Sequence, residues 1–291
     1  MLATLLYIPI GFVVAIYGTI IGAGGGFILV PLLMFLFPSD APSMITAASL
    51  AVIFANSASG TIAYARMKRI SYRTGILFAL ATIPGALLGS SLTGFIPRKV
   101  FGAVFGGLLV AVAVFLALTR RNSSKTSKAK ESTSAKESTS PAADSRALPR
   151  PRAPLVDTVV DSEGNAYPLS YNIWLGMALS LLIGVVSSLV GIGGGIIHVP
   201  VLAYLFGFPV HIATATSHFV LVFTSLAGLV MHIIDGTWPA HPLRDLCLAI
   251  GVIGGAQLGA VIARKVSSRW IVLGLAIALG LVGVRLIIGA F

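Results

Sequence analysis

Two glycine clusters carry the strongest chemical hint in this chain. Gly22-Ala23-Gly24-Gly25-Gly26 and Gly191-Ile192-Gly193-Gly194-Gly195 each interrupt an apolar run, and each leads into a Val-Pro pair. A glycine break in apolar surroundings bares backbone N–H groups that lipid cannot satisfy. Such a break is tolerated only inside protein or along a water-filled cavity. The helix after each break turns a partly positive N-terminus toward the gap. Two such ends facing one cavity suit an anion, with Gly24, Gly25, Gly26, Gly193, Gly194 and Gly195 as backbone donors. The competing reading is close packing of helices through small residues. A nucleotide fingerprint finds no support, because no βαβ pattern surrounds the glycines.

Polar residues inside the apolar runs are the next candidates. Thr46, Ser49 and Ser57 recur at matching positions as Thr214, Ser217 and Ser225. Ser49, Ser57, Ser217 and Ser225 are the expected hydrogen-bond donors to a substrate. The alternative for each is a hydroxyl bonded back to its own helix. Asn56, Ser59, Thr61, Thr216 and Thr224 are further candidates to line a cavity. His198 and His218 also sit in apolar stretches, and their partners in the other half are Leu29 and Leu50. An ionisable group inside a membrane is a functional hypothesis by default. A histidine can also move a proton near neutral pH. His218 is therefore the first candidate for proton coupling and His198 the second, against a neutral histidine bonded to a neighbouring helix. His232 and His241 flank a loop and read as interfacial, and Arg285 is placed to snorkel. No carboxylate pair or His/Asp/Ser set can be placed within the apolar runs, so no catalytic residue, metal or cofactor is expected. The single cysteine, Cys247, excludes an intrachain disulfide.

The elements that must hold these residues are membrane helices. Of the 291 residues, 56% are hydrophobic and only 10% charged, against about 25% charged in a soluble domain. Mean hydropathy is +0.97. Apolar stretches run at 2–21, 27–37, 42–65, 72–95 and 98–119, then at 171–190, 196–206, 210–234, 243–263 and 269–290. Most are long enough to span a bilayer; those at 27–37 and 196–206 cover little more than half of one. The net charge of +11 does not point to nucleic acid, because nine of the 20 basic residues lie between Arg120 and Arg152 and most others in short gaps. Residues 120–170 hold too little apolar material for a core and are expected to be a largely disordered linker.

The two apolar halves are versions of one unit. Beyond the glycine clusters, Thr46-Ala47-Ala48-Ser49 aligns with Thr214-Ala215-Thr216-Ser217, and Asn56 to Gly60 with Thr224 to Gly228. Pro84-Gly85-Ala86-Leu87-Leu88-Gly89 aligns with Gly254-Gly255-Ala256-Gln257-Leu258-Gly259. Paired repeats with glycine-broken short segments point to a secondary transporter. The expected fold is an all-α polytopic membrane protein with eight to ten membrane segments. Its first repeat is 1–119, its linker 120–170 and its second repeat 171–291. Five crossings per half give inverted repeats and four give parallel ones. Placing Arg66, Lys68, Arg69 and Arg73 in the cytoplasm favours five, with both termini outside.

The doubled Gly-x-Gly-Gly-Gly with its Val-Pro, at 22–31 and 191–200, resembles the sulfite exporter TauE/SafE family, also called the toluene sulfonate uptake permease group. The Ala-x-Ala-Thr-Ser-x-Phe stretch at 213–219 is similar to that family's second repeat, and the long linker departs from its compact pattern. The resemblance implies a multi-pass carrier of the bacterial inner membrane for sulfite, organosulfonates or thiosulfate. Its partners are the bilayer and a small anion, with self-association left open. The alternative is a membrane scaffold or sensor acting through 120–170.

Overall fold

The computed structural model describes residues 2–133, 155–160, 162, 164, 166–237, 241–266, 273–274, 276–277 and 279–285. Expectations for 134–154 and 267–272, including the second Ala-Lys-Glu-Ser-Thr-Ser copy and Arg269, lie outside the described residues.

The chain is helical where its sequence is apolar. A short α1 (Leu2–Leu5) precedes α2 (Tyr7–Ile21), α3 (Gly26–Leu36), α4 (Pro42–Arg66), α5 (Tyr72–Thr93) and α6 (Arg98–Thr133). The second half repeats the order as α7 (Ile173–Val190), α8 (Gly195–Pro200) with a π turn (Val201–Leu205), α9 (Val210–Ile234) and α10 (Pro242–Ala263). Residues 279–285 are helical as well. Six helices have the length and hydropathy to cross a membrane: α4, α5, the 98–116 part of α6, α7, α9 and α10. Leu80, Leu88, Leu182 and Leu246 point outward from the bundle, an apolar exterior that suits lipid.

Each glycine cluster folds its chain back on itself. Gly22 ends α2 at φ +83° and Gly191 ends α7 at φ +76°, a left-handed conformation that a side chain resists. The amides of Ala23 and Ile192 return to the carbonyls of Gly18 and Ser187, at 2.8 and 2.9 Å. α3 then runs back along α2, with Phe27 beside Tyr17 and Phe37 beside Tyr7. In the second half His198 meets Ser180, which returns α8 along α7 in the same way. Pro200 has no N–H for the preceding turn, and the chain continues as the π turn.

The halves interlock rather than sit side by side. α2 packs on α10, α7 on α5, α4 on α10, α5 on α9, and α4 on α9. Glycine sets the closest approaches: Gly251, Gly255 and Gly259 leave no room for a Cβ against the carbonyls of Ile8, Phe12 and Ile16. Gly85 and Gly89 do the same against Leu181 and Val185. Both of these pairs run parallel. α4 and α9 run antiparallel, with Thr46 at His232, Leu50 at Gly228 and Gly60 at His218. The starts of α5 and α9 therefore lie at one end of the bundle, here the linker end. The starts of α4 and α10 lie at the far end.

The linker is not structureless throughout. Leu155–Val160 and Ala166–Tyr171 form an antiparallel hairpin, with Val159 opposite Tyr167 and Asp157 opposite Leu169. This corrects the expectation of disorder for those residues. Val159, Leu169 and Tyr171 are apolar enough to bury against Phe78, Phe206 and Phe208, and the Tyr171 hydroxyl bonds Thr74 Oγ1 at 2.7 Å.

Candidate functional site

The turns of the two hairpins meet at the centre of the bundle. Gly24 and Gly193 both face Ile53 of α4 and Leu221 of α9, which are buried. A Cβ on Gly26 would lie 2.9 Å from the Ile192 Cα, and one on Gly195 would lie 2.6 Å from the Gly22 carbonyl oxygen. Glycine is required here because backbone approaches backbone. Ser49 Oγ donates to the Gly191 carbonyl at 2.8 Å. Ser217 Oγ reaches the Gly22 and Gly195 carbonyls, both at 3.3 Å. Each serine thus holds the turn of the opposite half. Gly25 turns onto Val14, and Gly194 onto Ile183 and His198.

The structure therefore gathers Gly24, Gly25, Gly26, Gly193, Gly194, Gly195, Ser49 and Ser217. Ser57 and Ser225 stand apart. Ser57 donates to its own helix at Phe54 (3.1 Å) and Ser225 to Leu221 (2.6 Å). Ile53 and Leu221 with the two glycines make a septum across the centre.

The two histidines differ. His198 is engaged on both ring nitrogens, with the Gly194 carbonyl at 3.2 Å and Ser180 Oγ at 3.4 Å, so it ties α8 to α7. His218 is fully buried and neither ring nitrogen makes a hydrogen bond, although the Gly22 backbone lies alongside. It sits against Gly60 and edge-on to Tyr64, 5.5 Å between ring centroids. Thr19 Oγ1 meets Asn56 Oδ1 at 3.3 Å, and Tyr64 Oη donates to the Thr19 carbonyl at 2.7 Å. Asn56 Nδ2 has no partner. These residues form a buried polar cluster on the linker side of the septum. An unsatisfied imidazole and amide in one place are costly unless something binds them.

His232 departs from its interfacial reading. It is buried and shares a 3.2 Å hydrogen bond with Thr46. His241 stays at the edge, its side chain 44% exposed. It lies 3.6 Å from Asp40, whose carboxylate also meets Arg244 at 3.5 Å. Arg244 is buried, pairs with Asp245 at 2.8 Å and stacks on Phe37 at 4.4 Å. Arg98 donates to the carbonyls of Asp40 and Met34. This network joins the starts of α4, α6 and α10 at the far end. Arg285 stacks on Phe35 at 5.0 Å, away from the septum.

Sequence reasoning missed Thr19, Tyr64 and the Asp40–Arg244–Asp245 network. Thr19 and Tyr64 lie in apolar runs and show their meaning only when α2 and α4 come together. The adjacency of Arg244 and Asp245 at the start of an apolar segment was the available signal for the network.

The sequence of the chain is similar to those of known proteins. The sequence model described as Sulfite exporter TauE/SafE matches residues 7–286. "Probable membrane transporter protein YunE" of Bacillus subtilis is 31% identical over 290 residues, covering 97% of this chain and 96% of that one. "Probable membrane transporter protein MJ0441" of Methanocaldococcus jannaschii is 26% identical, covering 97% and 95%. "Probable membrane transporter protein y4hK" of Sinorhizobium fredii is 25% identical over 84% of this chain and 83% of its own length. No solved structure matches the chain significantly.

Proposed function

This chain belongs to the sulfite exporter TauE/SafE family of multi-pass membrane transporters, and from that premise we propose that it carries small sulfur-containing anions by alternating access. Sulfite, organosulfonates and thiosulfate are the substrate class. The observation that carries this reading is the meeting of two glycine-broken hairpins at one septum. A closed centre with buried, uncommitted polar groups beside it is what a carrier needs in an occluded state.

We read the halves as inverted repeats, a reading supported by the antiparallel run of the equivalent helices α4 and α9. The short α3 and α8 then belong to hairpins that enter and return. Arg66, Lys68, Arg69 and Arg73 put the linker end in the cytoplasm. A tag following Phe291 is then reached from outside; accessibility from the cytoplasm alone contradicts this orientation.

In transport, the septum parts toward one face as one half rocks against the other. Ser49 and Ser217, which bridge the halves, exchange their carbonyl partners for substrate or water. The starts of α3 and α8 have no side-chain cap at Gly25 and Gly194, so their first amides suit an anion. His218 is the group placed to carry a proton. The reading assigns no catalytic residue. Gly25→Leu and Gly194→Leu test the site: each abolishes sulfite uptake in folded protein, and full uptake in both removes the glycine turns from the site.

A further inference from the structure

A second polar cluster packs on the far side of the septum, built from the same positions as the first. In the first half Gly60 faces His218, with the ring Nε2 3.0 Å from where a Cβ would stand, and Thr19. The equivalent glycine, Gly228, faces Ser90 Oγ at 2.8 Å, Leu50 Cδ1 at 2.9 Å and Ser188 Oγ at 3.4 Å, measured from the same point. By the repeat, Ser188 stands for Thr19, Leu50 for His218, and Ser90 for Ala260. The imidazole of one cluster is replaced by a leucine in the other, which keeps the hydroxyl at the Thr19 position as Ser188 and gains a second, Ser90, where the first has Ala260.

Those hydroxyls are uncommitted. Ser90 is 1% exposed and Ser188 fully buried, and neither Oγ has a hydrogen-bond partner. Thr82, Thr224 and Ser225 satisfy their hydroxyls by bonding back one turn, to Phe78, Val220 and Leu221; Thr61, Ser187 and Thr214 share the unpartnered state of Ser90 and Ser188 but do not converge with them on Gly228. Ser90 and Ser188 instead converge from α5 and α7 on a single spot on α9, where only glycine fits: a Cβ would stand 2.8 Å from Ser90 Oγ and 2.9 Å from Leu50 Cδ1, so an anion enters only when the helices part. A buried hydroxyl without a partner is destabilising, and a ligand that accepts from two at once offsets that cost.

We propose that Ser90 and Ser188 form an oxyanion subsite on the far side of the septum, with Gly228 as its floor. The inference rests on the carrier reading and gives it a second station. A small anion with several acceptor oxygens takes both O–H donors at once, after leaving the His218 cluster. Positions 218 and 228 are ten residues apart on α9, about 15 Å along the helix, so the two stations lie in series. Opening of the septum on one side or the other decides which is occupied.

The test uses the full chain in proteoliposomes with radiolabelled sulfite, comparing Ser90→Ala, Ser188→Ala and the double substitution with wild type. Ser91→Ala is the control, since Ser91 is bonded to its own helix at Leu88. Each single substitution raises the KM for sulfite about fivefold and the pair about twentyfold. The control stays at the wild-type KM. Without anion, the melting temperature of the double variant equals or exceeds wild type, and the rise that sulfite gives wild type is lost. An unchanged KM beside active wild type overturns the subsite and leaves the carrier reading standing. A lowered melting temperature without anion shows the hydroxyls to be structural, which also overturns the subsite. Neither flux nor a sulfite-dependent melting shift in wild type overturns both readings.

Discussion

The Ser49 hydroxyl donates to the Gly191 carbonyl at 2.8 Å, across 142 residues of sequence. Ser217 makes the reciprocal bond to Gly22 at 3.3 Å. The two halves are thus tied by the same device used twice, each serine holding the turn that ends the other half's first long helix. Replacing Ser49 by Ala strips a buried carbonyl of this donor and lowers stability by about 1–3 kcal/mol. Thermal unfolding in detergent reads the loss. The longer Ser217 bond predicts a smaller effect for Ser217→Ala, and equal stability of both variants with wild type contradicts the tie.

The turns themselves tolerate no side chain. Gly22 and Gly191 hold positive φ, and an added Cβ would come within 2.8 Å of Val199 or 2.7 Å of Thr46. Backbone strain adds about 1 kcal/mol to about 1–3 kcal/mol of overpacking. Gly22→Ala and Gly191→Ala therefore reduce the yield of monodisperse protein and its melting temperature. By contrast Gly94→Ala, with nothing within 4 Å, is neutral by the same assays.

The two buried histidines separate under substitution. His218→Leu installs the residue that its counterpart Leu50 already is, and removes a ring with no hydrogen bonds. Stability is kept, and stimulation of sulfite flux by an imposed gradient is lost. His198→Leu breaks contacts to Gly194 and Ser180 and lowers the melting temperature instead. Gradient-driven uptake surviving His218→Leu removes the proton role.

The linker divides into parts with different consequences. Deleting 134–154 leaves the hairpin and the bundle in place, and flux continues. A scaffold acting through 120–170 would lose its partner under the same deletion, so retained flux with no lost partner favours the carrier. Tyr171→Phe removes the bond to Thr74 and costs about 1 kcal/mol, read as a small drop in melting temperature.

Much of this architecture is legible in the amino-acid sequence. Glycine breaks, duplicated blocks and apolar lengths follow from what lipid forbids an exposed backbone to do. Gly255 and Gly259 were visible as repeat members. Their contact with α2 was not, because a packing partner in the other half leaves no local pattern. The hydroxyls of Ser57 and Ser225 looked equivalent to Ser49 and Ser217, yet helix rotation turns one pair onto its own backbone and the other onto a distant carbonyl. Ser90 and Ser188 were hidden for a related reason, since only the folded bundle aims them at Gly228. Alternation in 155–171 was masked by the polar composition around it. Tyr171 and Leu169 gained meaning only with Phe78 and Phe206 to bury against.

The central claim is transport of small sulfur oxyanions, and flux measures it most directly. Purified protein in sealed proteoliposomes receives radiolabelled sulfite, with an organosulfonate, thiosulfate and chloride as competitors and an imposed pH gradient. The account predicts saturable uptake, blocked by the sulfur compounds and not by chloride, and increased by the gradient. Folded protein that moves none of these anions, or moves them without saturation, contradicts it.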